Sequence, residues 1–187
     1  GAVRLLPNLT ALEIRVALYQ GKTAEALEWL EQAPDEEVEI PAMERFRFLT
    51  KARVYLMTGR YERAVNLLQR LLYYADVMDR SYIRMEAGLL LAIARYRTED
   101  PLWDEIFGKV MTEAESYHFV RLISREGAAV NRMLRETAWV SGDPEYLRAV
   151  TAETEKMAKT YPGYLKAVTE EADFSENAIR ILKLQAE

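Results

Sequence analysis

The chain has 187 residues, half of them apolar and 29% charged, with 25 basic residues against 30 acidic ones and a net charge of −5. A body of this length can bury its core without a disulfide or a metal. The absence of Cys and the single His exclude thiolate zinc sites, Cys nucleophiles and any multi-His or His-based catalytic centre. The acidic balance removes the overall positive field of a non-specific nucleic-acid binder. Only 14 residues are Gly or Pro (8 and 6), too few for a turn-rich β fold. No apolar run approaches the roughly 20 residues of a membrane span, and no signal-peptide layout opens the chain. Starting at Gly1-Ala2-Val3, the sequence reads as an internal piece of a longer cytoplasmic protein.

From the N-terminus onward, apolar residues recur at helical spacing and no convincing alternating strand pattern interrupts them. Two breaks are built alike. Gly21 closes Ala17-Leu18-Tyr19-Gln20 and Gly59 closes Tyr55-Leu56-Met57-Thr58. Relative to each Gly, an Arg stands six before (Arg15, Arg53), an Ala five after (Ala26, Ala64) and a Leu nine after (Leu30, Leu68), a constant offset of 38 residues. Gly can take the left-handed conformation that ends a helix, and a small Ala early in the next helix lets two backbones approach. Phe48, Ala52, Tyr55, Gly59, Tyr61, Ala64 and Leu68 resemble the large, small, aromatic and Gly positions of tetratricopeptide (TPR) repeats. Lys51 departs from that pattern, where an apolar residue is usual. The period is longer than 34, so these are TPR-like units with longer loops.

A third unit follows. Ser81 to Arg97 is a Leu- and Ala-rich helix, and Asp100-Pro101 reads as a cap and first turn for its partner. No Gly marks this turn; Glu99 stands about where it would be. Glu126 to Val140 and Pro144 to Tyr161 read as two more helices, the second capped by Asp143. Tyr161-Pro162-Gly163-Tyr164 breaks the chain before a short helix ending near Ala172.

The fold class is therefore all-α, with about four TPR-like helical hairpins stacked into a right-handed superhelix. A single repeat cannot bury its apolar face, so neighbours stack and leave a concave inner wall. In such hairpins the first helix lines that wall, which places Arg15 and Arg53 in the groove, with Leu18 and Leu56 one turn further along. Two guanidiniums beside apolar residues suit an anionic or hydroxyl-rich ligand or an acidic peptide. The alternative is that both arginines pair with glutamates on adjacent helices. Tyr96, in register with Leu18 and Leu56, is a candidate for stacking on a ligand ring.

Two stretches carry a more specific resemblance. Phe119-Val120-Arg121-Leu122-Ile123-Ser124-Arg125-Glu126-Gly127, followed by the helix that bears Leu134, resembles the segment that closes the helical repeat domain of large LuxR-type, ATP-dependent transcriptional regulators. That family includes the maltose-regulon activator. Arg125 stands where an acidic residue is usual. Phe174 to Glu187, with Ser175 as N-cap, resembles the opening of a LuxR-type helix-turn-helix domain, although Ala178 replaces the usual Glu. The resemblance implies a repeat domain for sensing or coupling over residues 2–170, then a linker and truncated first helix over 171–187. It implies a small-molecule inducer or a regulatory protein as the groove's partner, and DNA contact only through a domain beyond this fragment. Self-association is compatible with it. There is no P-loop pattern in the sequence, so no cofactor is expected in this fragment.

No catalytic constellation or metal-ligand set is visible, and the expectation is a non-catalytic protein. His118 reads as a polar junction residue. Asp35-Glu36-Glu37 reads as solvated loop and Glu170, Glu171 and Asp173 as an acidic linker. Glu113 and Glu115 cannot share a helix face at their spacing. Trp29, Trp103, Trp139, Tyr73 and Tyr74 fall at helical spacing and are assigned to core packing. The remaining alternative function is a plain TPR scaffold that docks a partner's peptide or helix.

Overall fold

The computed structural model describes residues 6–33 and 44–166. Within them the chain is helical, in the order α1 (Leu6–Tyr19), α2 (Thr23–Gln32), α3 (Arg45–Met57), α4 (Tyr61–Val77), α5 (Ser81–Arg97), α6 (Leu102–Ser116), α7 (Val120–Ser124), α8 (Gly127–Glu136) and α9 (Pro144–Thr160). Helix α5 has the bounds that the sequence predicts. The helix expected from Glu126 to Val140 is shorter, and a turn at Arg125 and Glu126 separates it from α7. The proposed helix-turn-helix start at 171–187, the acidic runs at 35–37 and 170–173, and the short helix near Ala172 lie outside the described residues, apart from the break that precedes that helix.

The turns explain why the hairpins recur. After α1, α3, α4, α5 and α6 one residue takes a left-handed φ: Gly21 (74°), Gly59 (69°), Asp79 (48°), Glu99 (55°) and His118 (53°). In each case the following amide donates to a carbonyl five residues back. Lys22 reaches Ala17 at 2.9 Å, Arg60 reaches Tyr55 at 2.9 Å, Arg80 reaches Ala75 at 2.8 Å, Asp100 reaches Arg95 at 2.9 Å and Phe119 reaches Ala114 at 2.9 Å. This is the Schellman closure of a helix end. Glu99 thus does the work of the two glycines, and His118 is a junction residue with an exposed side chain. Asp143 caps α9 by accepting from the amides of Glu145 and Tyr146.

Of the residues that match the TPR pattern, all but Gly59 at the turn and the half-buried Tyr61 are interior. Phe48, Ala52, Tyr55, Ala64 and Leu68 are buried, as are Ala26 and Leu30 in the first unit. Helix α1 packs on α3, α3 on α5 and α5 on α7, while α2, α4 and α6 pack chiefly on these odd-numbered helices. The result is the TPR-like helical stack that the spacing implies. Among the aromatics assigned to packing, Trp29 is buried, whereas Tyr73 is 74% exposed. Tyr74 lies under the Arg45 guanidinium, 3.8 Å from its ring centroid. Trp103 packs against Tyr96 and Phe107, and Trp139 donates from its indole nitrogen to Thr112 Oγ1 at 3.0 Å.

One expectation needs correction. The inner wall does not stand open at its centre. Every residue from Phe48 to Leu56 in α3 and from Met85 to Ala94 in α5 is buried, so these helices are covered all round. On the inner side the cover comes from the turn between α7 and α8 and from the segment after α9. An array that curls far enough brings its last hairpin back over its first helices, and its inner surface becomes interior.

Candidate functional site

Helix α5 carries one charged residue in an otherwise apolar run, Glu86 within Met85-Glu86-Ala87-Gly88-Leu89. A buried carboxylate needs cationic partners, and three converge on it. Arg15 Nη2 of α1 stands 3.2 Å from Glu86 Oε1, Arg53 Nη1 of α3 stands 2.8 Å away, and Arg125 Nη2 stands 2.7 Å away. Glu126, in the turn after α7, extends the cluster. It pairs with Arg53 through Oε1, accepts from Arg53 Nε at 3.3 Å through Oε2, and lies 3.3 Å from Arg125 Nε. Arg53 and Glu126 are both 0% exposed. Arg53 also donates to the Leu49 carbonyl at 3.2 Å.

Gly127 positions this turn. It has a φ of +50°, and a side chain there would stand 3.5 Å from the Ala158 amide nitrogen and 3.6 Å from the Met157 carbonyl carbon of α9. A side chain would fit there in ordinary van der Waals contact, so it is the left-handed φ that favours Gly beside the buried Glu126.

The segment Tyr161–Lys166, reached directly from α9, lies over this cluster. Tyr164 is fully buried; its hydroxyl donates to Glu126 Oε2 at 2.6 Å and accepts from Arg53 Nε at 3.1 Å. Its ring packs 4.2 Å from that of Tyr19, and Tyr161 packs 5.0 Å from the same ring. Tyr19 in turn donates its hydroxyl to the Arg125 carbonyl at 3.1 Å. The Leu165 amide points at Met57 Sδ, 3.1 Å away, and Arg97 donates to the Leu165 carbonyl at 2.8 Å and to that of Lys166. Tyr19, Met57 and Arg97 are the last residues of α1, α3 and α5, so the segment straps the C-terminal ends of these three helices.

Electrostatics follow the charge count. Three guanidiniums face two carboxylates, and the two phenols are neutral. Burial opposes the charged form of Glu86, yet Arg53, Arg125 and Arg15 outweigh it and hold its carboxyl at about 2. Burial likewise opposes ionised Glu126, and the arginines again prevail and lower its pKa. Arg15 is lowered to about 10, first by burial and then by the neighbouring Arg53. Its Nε finds no hydrogen-bond partner among the described residues, and its guanidinium lies 4.1 Å from the Phe46 ring centroid. Burial and the nearby Glu126 raise Tyr19 to about 12 and push Tyr164 well above the ordinary phenol range.

Of the residues singled out from the sequence, Arg15 and Arg53 are brought together, but buried and paired with Glu86 and Glu126 rather than free in a groove. This is the ion-pair alternative. Leu18 and Leu56 are 0% and 6% exposed and belong to the core, because a residue three before the turn faces the neighbouring helices here. Tyr96 sits apart, edge-on to Trp103 at 5.0 Å, with its hydroxyl donating to Glu136 at 2.8 Å. Sequence reasoning missed Glu86 and Tyr164. The signal for Glu86 was a lone acid inside an apolar run; Tyr164 looked like part of a chain break. Lys51, the departure from the TPR pattern, is buried with its ammonium 5.8 Å from the Tyr55 ring centroid.

The model of the MalT-like TPR region matches residues 2–138. The chain belongs to this family. The MalT-like match covers α1 through α8 and therefore every charged member of the cluster, while Tyr161–Lys166 lies beyond it. Neither the curated proteins nor the solved structures compared with the chain match it. For a MalT-like TPR region the architecture found here is a regulatory type of helical array. No described helix is long and apolar enough to cross a membrane, and the described residues hold no cluster of three or more His, Cys, Asp or Glu side chains able to bind a metal.

Proposed function

We propose that this chain is the sensing and coupling domain of a LuxR-type transcriptional regulator. A small-molecule inducer or a regulatory protein engages the inner side of its helical array away from the covered centre, and the consequence passes to a DNA-binding domain of the parent protein. The match to the MalT-like TPR region over residues 2–138 carries this reading. The physical requirement is a ligand that binds one arrangement of the array better than another. A buried ionic cluster that joins α1, α3, α5 and the α7–α8 turn suits such a role, since it ties these four elements to one another. In this reading the domain acts by binding, uses no cofactor of its own and touches DNA only through its parent.

A second reading, a scaffold that docks a partner's peptide, is favoured by one observation: Arg97 donates to two consecutive backbone carbonyls, those of Leu165 and Lys166, as a peptide-binding wall would. The test is a thermal-shift screen of sugars, nucleotides, small metabolites and short acidic peptides. Hydrogen exchange then maps each hit. A small-molecule hit that protects α1, α3 and α5 supports sensing, a peptide hit there supports the scaffold, and protection confined to α2, α4 and α6 rejects the inner side as the site.

A further inference from the structure

The Tyr161–Lys166 strap rests on charged and phenolic groups as well as on hydrocarbon, with Leu165 2% exposed in the core and the Tyr161 and Tyr164 rings on Tyr19. A segment that completes an ordinary core leaves apolar surface behind when it detaches. This one leaves, besides the apolar surface under Leu165 and the Tyr19 ring, the charged groups of Arg53 and Glu126, which water or a polar ligand can satisfy. Its backbone amides are sparsely bonded. Within the strap, the Tyr164 amide donates to the Tyr161 carbonyl at 3.1 Å, while the Leu165 amide has only a thioether as acceptor, a weak one. Leu165 has a left-handed φ of 44°, which costs a non-Gly residue free energy. What fixes the strap is one phenol inserted between Tyr19, Arg53 and Glu126, two carbonyls held by Arg97, the buried Leu165 side chain and the Tyr161 ring on Tyr19.

We propose that Tyr164 is a tethered ligand: the pocket walled by Tyr19, Arg53 and Glu126 is a binding site for a ring that carries a hydroxyl group, and the Tyr161–Lys166 strap occupies it until it lifts away as a unit. The chemistry of the resident defines the class. The occupant's hydroxyl donates to Glu126 Oε2 and accepts from Arg53 Nε, and its ring packs on Tyr19. An apolar ring would leave Arg53 Nε and Glu126 Oε2 only their longer contact with each other at 3.3 Å, and a flexible chain would forgo the packing on Tyr19. Displacement of the strap would free the ends of α1, α3 and α5 together, since Tyr19, Met57 and Arg97 are its anchors.

The inference rests on the sensing reading only for the natural displacer, and two measurements test it without one. The first is hydrogen exchange on the complete 187-residue chain. The amides of Tyr164 and Leu165 should exchange about tenfold or more faster than those of Leu89 to Ile93 in α5, by local opening. Tyr164→Phe, which keeps the ring and deletes the hydroxyl, should open faster still. Exchange of the strap at the same rate as α5, or an unchanged rate in Tyr164→Phe, overturns the proposal. The second uses Tyr164→Ala, with phenol and benzene as probes. Phenol should raise its melting temperature and benzene should not; equal effects, or none from phenol, overturn the assigned chemistry. If Tyr164→Ala does not fold, the exchange experiment still decides. A screening hit that leaves strap exchange unchanged sinks the tethered ligand and spares the sensing role. Fast strap exchange together with phenol stabilisation of Tyr164→Ala, in a chain that no screened compound or peptide stabilises, does the reverse.

Discussion

Arg15 and Arg53, 38 positions apart in the sequence, end on the same carboxylate oxygen, Glu86 Oε1, at 3.2 and 2.8 Å. The internal repeat thus delivers two equivalent guanidiniums to one point, and the fold supplies the anion from a third helix. Like charges at such a distance repel strongly in a buried site, so the two carboxylates are a condition of α1 and α3 packing as they do. Glu126 serves Arg53 and Arg125, and Tyr164 completes its shell.

The first prediction concerns that shell. Replacement of Glu126 by Gln leaves the fully buried Arg53 short of a counter-charge, and loss of one partner of a buried pair costs about 3–5 kcal/mol. Arg53→Met should cost a similar amount alone. The double variant should cost clearly less than the sum, because no orphaned charge remains. Urea unfolding of the four proteins measures this cycle, and simple additivity would refute the coupling.

Acid stability follows from Glu86. Its carboxyl titrates near 2 in the folded chain against an ordinary value of 4.5, so the unfolded chain takes up the proton first. The stabilisation is complete above the unfolded value and is lost as the pH falls from about 4.5 towards 2. Glu126 shifts in the same direction. Melting temperatures between pH 7 and 2 should therefore fall through this window in the wild type. In Glu86→Gln the melting temperature should be lower at pH 7 and the acid decline shallower. Parallel curves would contradict the assignment.

Turn chemistry gives a prediction of opposite sign. Glu99 holds a φ of 55° and its side chain is exposed, so it bears the left-handed penalty of roughly 1–2 kcal/mol without packing in return. Glu99→Gly should stabilise, by about 1 kcal/mol once the greater freedom of the unfolded Gly is set against that relief. Gly59→Ala should destabilise by a similar amount through the backbone alone, since nothing lies within 4 Å of a side chain placed there. Thermal unfolding of both variants provides the check.

The contrast between Gly59 and Glu99 shows how far the sequence could be read. Gly at the first two turns announced the hairpins. Asp79, Glu99 and His118 adopt the same conformation without announcing it, because a penalty of this size is easily outweighed by the packing of two long helices. Arg15 and Arg53 were found from their offset, and their neighbourhood was not. Offsets fix which positions are equivalent from one repeat to the next, but they say nothing about contacts between residues as distant as Arg53 and Tyr164.

Local physics was enough for the helices, their order and the stacking of hairpins, because helical periodicity and turn residues act over a few positions along the chain. Whether the inner surface faced water was a different kind of question. It was settled by how far the array curls, which brings Glu126 and Tyr164 onto helices more than 70 residues upstream. The burial that turns two surface-type arginines into an interior cluster exists only once those distant segments meet, and no pattern along the chain encodes that meeting.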